Sequence, residues 1–541
     1  MAEGDRYCRR CRDRECRTRY RKVMAINWNL AVLLVLAPIG TAWCAEEGLS
    51  PAALHGREIY RRGTRGGIDA GTAAIGAGGV PLPSSTFTCA NCHGIWGGGA
   101  REGGVSTPPL NWSYLTSPAV SALTGRWRGA YSLETLRKAI TAGRDPAGRP
   151  LHAGMPRFQM LPERLSEVVA YLERLGDPED TDAGVSPTRI RIGAALPLSG
   201  PLAEAGRSIR ETLELLFAGA SRGGGIFGRG IELAVEDSGT DAPGRRSATR
   251  RLIEDRGVFA LAASLEPNST GENAELLKRA FVPLIGPVGF SPHNIEPPNP
   301  VVFYLLPNLY DQTRSLVDFA VARDPGRRPC FAVIYGGAAV DGGVVDGLRR
   351  QTRTHGLTIT AAERDGPGVV ATVLATNPDY LVFAGDGIGL VRVAKQMDRD
   401  SAPVLMAFLS TAESGVSQLP QRVADRALYA SPAPPPDPRH AEAFFTLLGA
   451  AKPPQNLSGI RASAFAAGTV LLAALRSNGD RLSRDSLVRA LERLQQFETG
   501  VLAPLTFGPN QHIGSGGAAI LGFDKQSQSL VPVSGWVAPK N

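Results

Sequence analysis

Hydrophobic and polar positions follow two different rhythms along this chain, and the change of rhythm divides it. Between residues 46 and 177 apolar positions are sparse and keep a helical period. GREIYRRG (56 to 63) predicts one short helix and SLETLRKAITAG a second, while LPERLSEVVAYLERLG sets Leu165, Val168, Val169, Leu172 and Leu175 on one face of a third. From Arg189 the texture changes. RIRIGAALPLSG, IELAVEDSG, FALAAS, FVPLIGP, CFAVIYGG, YLVFAGDG and VLMAFLS read as strands, with IRETLELLFAGA, RSATRRLIEDRG, LLKRA and GLVRVAKQM as helices among them. Such alternation predicts parallel sheets covered by helices on both faces, and about 350 residues exceed one sheet, so two α/β lobes are expected. Two stretches keep neither rhythm. The Gly-rich GTRGGIDAGTAAIGAGGVPLPSS (63 to 85) reads as a surface loop or flexible insert, and the acidic 178–188 region as a linker.

Composition changes this picture at the N-terminus. The 541 residues carry a net charge of +8, but residues 1 to 23 hold nine Arg/Lys against four Asp/Glu, leaving +3 on the rest. The basic excess is therefore a leader property, and no nucleic-acid partner is expected. Basic RTRYRKV, then apolar LAVLLVLAPI, then GTAWCA follow the order of a secretory signal, so 1–45 is read as leader and signal. Cleavage is expected between Ala42 and Glu46 and the location is periplasmic; an uncleaved signal acting as membrane anchor is the alternative. Cys8, Cys11 and Cys16 lack a fourth ligand for zinc.

Within the first domain, FTCANCHGIWGGG joins Cys89, Cys92 and His93 in the C-x-x-C-H pattern of covalent haem attachment, in which two thiols add to the vinyl groups and the histidine approaches the iron. A thioredoxin-like reading of the two cysteines does not require His93. Cys330 in PCFAVIYGG reads as a buried small hydrophobe on a strand. The other histidines are scattered, with no paired nucleophile or ligand spacing, so an electron carrier is expected rather than an enzyme.

Helix, CANCH, AITAGRDPAGRPL, MPRF and a last helix containing VVAYL, in that order, resemble class I monohaem cytochrome c domains. The resemblance implies a small all-α domain over 46–177 holding one haem c, with Met155 of the M-P-x-F segment ligating the iron opposite His93; Met160 and His152 are the competitors. A soft, neutral thioether favours ferrous iron and suits electron transfer. The long Gly-rich insert departs from the family.

A second resemblance covers 189–541. PLSGPLAEAGRSIRETLELLF, GGIFGRGIELAVEDSGTDAPGRRSATRRLI and NSTGENAELLKRAFVPLIGPVGFSP resemble the periplasmic type I solute-binding proteins of ABC importers, the branched-chain amino-acid receptors. This implies two lobes closing on a ligand at the C-terminal ends of their strands, with GAALPLSG and AASLEPNSTG on one side and the loops after Tyr335 and Gly385 on the other. Ser199, Ser269, Thr270, Phe290, Ser291 and Asp386 are the cleft candidates. Pro267 and Phe290 stand where hydroxyl residues are wanted and Ala205 where an aromatic often covers the ligand, so an amino-acid ligand does not carry over. The expected partners are a redox protein, with an exported dehydrogenase as candidate donor, and a small molecule in the cleft. The function these readings favour is single-electron transfer through one haem, with the large domain docking a partner or sensing a metabolite. The alternative is a solute receptor with an accessory haem domain.

Overall fold

The computed structural model describes residues 49–541 apart from 77, 103–104, 122–124, 269–271, 294–297, 337–340, 399–401, 436, 438, 450–457, 525 and 541. Residues 1–45, read above as leader and signal, and the cleft candidates Ser269 and Thr270 lie outside the described residues.

The first domain is built on two crossing helices. Helix Pro51–Arg62 begins where the Ser50 hydroxyl accepts the Ala53 N–H and ends at Gly63, whose left-handed φ of 72° lets its N–H reach the Ile59 carbonyl. It packs on helix Pro162–Leu172 so closely that a Cβ on Gly56 would lie 1.9 Å from the Glu167 carbonyl oxygen. Tyr60 and Tyr171 meet edge to face in this contact, ring centroids 5.4 Å apart. The expected face of the last helix is buried, with Leu165, Val168, Val169, Leu172 and Leu175 all in the domain core.

The domain is not all-α. The Gly-rich insert expected as a loop forms strand Gly71–Ala74, which pairs antiparallel with Leu82–Pro83 on one side and with Arg157–Met160 on the other. Its small residues let two backbones approach, and Ser84 fastens the turn by donating to the Gly63 carbonyl at 2.6 Å and accepting the Gly71 N–H at 3.1 Å. Three further short strand pairs, at 64–69, 100–107 and 119–128, complete a mixed helix and strand domain.

The stretch read as a linker is buried where it carries charge. Asp180 and Asp182 are 1% and 6% exposed, held by Arg57 and Arg61 of the first helix. Ion pairing, which composition alone does not reveal, turned an acidic segment into a fastener.

Beyond it stand the two α/β lobes. Lobe 1 has a parallel sheet in the order Gly230–Asp237, Arg189–Leu196, Ala260–Ala262, Leu284–Ile285, Val302–Phe303. Lobe 2 orders Thr358–Arg364, Cys330–Tyr335, Tyr380–Ala384, Val404–Phe408 and Leu428–Ser431 in parallel. It then adds Ala518–Asp524 and Ser529–Val537 antiparallel, so this sheet is mixed rather than purely parallel as expected. Along Cys330–Tyr335, Phe331 and Val333 enter one core while Ala332 and Ile334 enter the other, which is why the run is continuously apolar. Cys330 itself is only half-buried, its thiol 3.3 Å from Asp379 Oδ2.

The chain passes between lobes more than once. The apolar helix Ser458–Ser477 and the helix Arg484–Glu492 pack into the lobe 1 core with Ile190, Ile192 and Phe303, whereas Ala518 and Ile520 return to lobe 2. The proline-rich stretch near 432 lies on such a passage, between Ser431 of the lobe 2 sheet and Phe444 in the lobe 1 core.

Candidate functional site

Thr88 caps a five-residue helix, Cys89–His93, by accepting the Asn91 N–H at 3.3 Å. On one turn of helix the residues at i and i+3 share a face, so Cys89 and Cys92 point to the same side. Cys89 is half-buried by exposed area and its thiol is pushed up to about 12 by loss of water and the nearby Cys92, while Cys92 is exposed. His93 is 6% exposed, and burial lowers its pKa despite the Pro108 carbonyl that engages Nδ1 at 2.9 Å. A carbonyl oxygen can only accept, so Nδ1 is the donor in this bond, and Nε2 is the nitrogen that can offer a lone pair to a metal. Pro108 was not singled out from sequence; the Pro-Pro pair at 108 and 109 was its only trace.

Against the same core that takes Ala90 of this helix, Phe87, Leu110, Trp112, Tyr131, Met155 and Met160 are only partly buried. Such a rim of half-covered apolar side chains, next to two thiols and a free imidazole nitrogen, fits a haem face. Met155 is fixed in its turn by its N–H to the His152 carbonyl at 3.0 Å and by Arg157, which donates to the Met155 carbonyl. Met160 closes the ladder against Gly71, and His152 is exposed, its Nδ1 accepting the Gly154 N–H at 3.1 Å.

In both lobes the strand order places a topological switch between the first and third strands in chain order, where open α/β sheets bind ligands at their carboxyl ends. The segments there are the loop 197–200 and the turn 263–264 with the short strand Leu265–Asn268 in lobe 1, and the loops after Tyr335 and Ala384 in lobe 2. The polar candidates in these loops and beside them are largely engaged within the fold. Ser199, exposed, bonds to Asp237, whose Oδ1 also accepts the Leu198 and Gly239 N–H groups, each at 2.9 Å. Ser291 is buried and donates to the Leu306 carbonyl at 3.0 Å. Asp386 is exposed and caps helix Gly387–Gln396 through the Gly389 N–H at 2.7 Å. Phe290 ends a strand paired with Asn268, and Ala205 is buried in helix Ala203–Arg222. Sequence reading missed Glu266, the one acidic residue in the apolar run AASLEPN. It is 4% exposed beside the lobe 1 switch point, accepts from Asn273 Nδ2, and is raised to about 7 by burial against the opposing pull of Arg245.

A cysteine-histidine cradle in a small domain, followed by two switch-point lobes, defines a haem-binding module joined to a solute-binding module. Residues 84–176 match the cytochrome c family and residues 189–528 match the family of periplasmic binding proteins. The second match spans more than half of the chain, which therefore belongs to the periplasmic binding proteins and carries a cytochrome c domain ahead of the binding domain. A cytochrome c domain implies covalently bound haem. Similar solved structures include a possible leucine/isoleucine/valine-binding protein from Rhodopirellula baltica (20% identity, 66% of this chain and 98% of that one, TM-score 0.52). A fatty acid ABC transporter substrate-binding protein from Thermomonospora curvata follows (16%, 66% and 94%, 0.52), with a leucine-binding protein from Thermotoga maritima (15%, 64% and 99%, 0.51). At these identities the likeness shows the fold alone.

Proposed function

We propose that this protein is an exported c-type cytochrome that transfers single electrons through one haem, with its binding domain docking a partner or sensing a small molecule. The observation that carries the reading is the buried His93, whose Nδ1 is committed to Pro108 and whose Nε2 is available to iron. Cys89 and Cys92 would hold the haem covalently, and His93 and Met155 would hold its iron; the bound haem would supply the one-electron couple. His93 orients through Pro108, Met155 through Arg157, and the apolar rim excludes water. If His93 and Met155 both held the iron, no open position would remain for a substrate, which favours electron transfer over haem-dependent catalysis. Export is supported by the leader's pattern and by the two families, whose members typically work outside the cytoplasm. The expected electron partner is a redox protein such as an exported dehydrogenase.

Full-length protein from a haem-maturing, export-competent host should keep peroxidase-active haem on a denaturing gel, at one haem per chain. Loss of the stain in Cys89→Ser with Cys92→Ser is expected; retention there, or no stain in the wild type, refutes the reading. The solute-receptor alternative is favoured by the intact two-lobed fold and its solute-binding structural relatives, and micromolar uptake of a ligand without effect on electron transfer would establish it.

A further inference from the structure

The haem cradle is in contact with charged groups of a different domain. Trp96, three residues after His93, lies between two guanidinium groups: Arg61 of its own domain and Arg481 of the binding domain, each 4.7 Å from the ring. Arg481 also donates to the Gly176 carbonyl at 2.7 Å. Arg489 reaches Asn91, between the two attachment cysteines, at 3.4 Å from Oδ1. Both arginines are firmly mounted: Arg489 is on helix Arg484–Glu492, whose Leu487, Val488 and Leu491 are buried in the lobe 1 core, as is Leu482 beside Arg481.

The charge balance sets these two apart from the other interface arginines. Arg57, Arg61 and Arg62 are matched by Asp180, Asp182 and Asp485 at 3.1 to 3.7 Å. Arg484 donates its backbone N–H to Asp182 and its guanidinium to the carbonyls of Val258, Phe259 and Ala280. Glu492, on the same helix as Arg489, faces His512. No ion pair is made by Arg481 or Arg489 among the described residues. Two uncompensated positive charges therefore sit against the haem-attachment segment, and both belong to the solute-binding lobe.

We infer that Arg481 and Arg489 are part of the haem site, and that lobe 1 uses them to raise the haem's reduction potential. The inference rests on the electron-carrier reading above. Ferric haem bears one more positive charge than ferrous, so neighbouring cations destabilise the oxidised form and favour reduction. The guanidinium groups are solvent-facing, so the effect is screened by salt.

The test is equilibrium redox titration of the full-length, haem-loaded protein. Arg481→Gln and Arg489→Gln should each lower the potential, and the double variant by roughly the sum. The shifts should shrink at high ionic strength. R489K should retain the wild-type potential, since it keeps the charge near Asn91, and Lys395→Gln on a lobe 2 helix should change nothing. Unaltered Soret and far-red bands in the Gln variants show that the ligands are in place. A double variant with those bands and the wild-type potential overturns the inference while leaving the electron-carrier reading standing. Absence of any one-electron haem wave in the wild type overturns that reading itself.

Discussion

The Asp182 carboxylate accepts the backbone N–H of Arg484 at 2.7 Å, joining the segment after the haem domain to the N-terminus of a lobe 1 helix 302 residues further along the chain. Burial would raise this carboxyl's pKa, but Arg57, Arg61 and Arg484 prevail and hold it well below the ordinary carboxylate range. A group depressed in the folded state stabilises above its unfolded value and loses that contribution as pH falls through the folded one.

Asp182→Asn should therefore destabilise the joined haem domain and lobe 1 by about 3 kcal/mol at neutral pH, because it strands buried arginine charge. The deficit should narrow below about pH 4, where unfolded aspartate becomes protonated. Denaturant unfolding followed by Soret dichroism at a series of pH values measures it; a pH-independent deficit contradicts the assignment.

Met155→Ala should abolish the weak far-red sulfur-to-iron band of the ferric protein and lower the potential, since a soft neutral ligand is lost. Met160→Ala, altering a residue that closes a strand ladder, should leave the band. The reverse pattern would transfer the role to Met160.

Glu266, with a folded pKa of about 7 against an ordinary 4.5, has the opposite sign to Asp182. The folded state binds the proton more tightly, so stability is retained below the unfolded value and lost as pH rises through the folded one. Glu266→Gln should be nearly neutral at pH 4 and stabilising at pH 8, by up to about 3 kcal/mol. Equal effects at both values would show that the carboxyl is solvated.

Leucine, isoleucine and valine should give no saturable calorimetric heat with the full-length protein at micromolar concentrations. An α-amino acid brings a carboxylate and an ammonium into a closing cleft, and burying either without partners costs several kcal/mol. Ser199, Ser291 and Asp386 already serve Asp237, Leu306 and Gly389, Pro267 has no N–H to give, and phenylalanine at 290 adds no polar side-chain group. Micromolar binding of any of the three would establish the receptor reading.

Where local pattern decides structure, the sequence was a sufficient guide. The C-x-x-C-H spacing, the helical face from Leu165 to Leu175, and the apolar runs of both sheets depend on residues close in sequence. Pairing between distant segments was not legible: Gly71–Ala74 becomes a strand because Arg157–Met160 supplies its partner, and Asp180 and Asp182 are buried because Arg57 and Arg61 meet them. Pro108, Trp96 and Arg481 were silent for the same reason, since a carbonyl acceptor or a stacked guanidinium leaves no periodic signal. Asp386, a cleft candidate in FAGDG, accepts the Gly389 N–H as a helix cap, a role that the residues around it did not signal.

The ladder between Gly71–Ala74 and Arg157–Met160 has a dynamic consequence. Only Pro156 separates Met155 from residues 157 to 160, so the segment carrying the proposed sulfur ligand is stitched on its C-terminal side to a strand that precedes the haem motif in sequence. An electron carrier works fastest when its ligand shell hardly moves between oxidation states. A ligand loop tethered in this way gives up conformational freedom before any electron arrives, and its reorganisation energy should be correspondingly small.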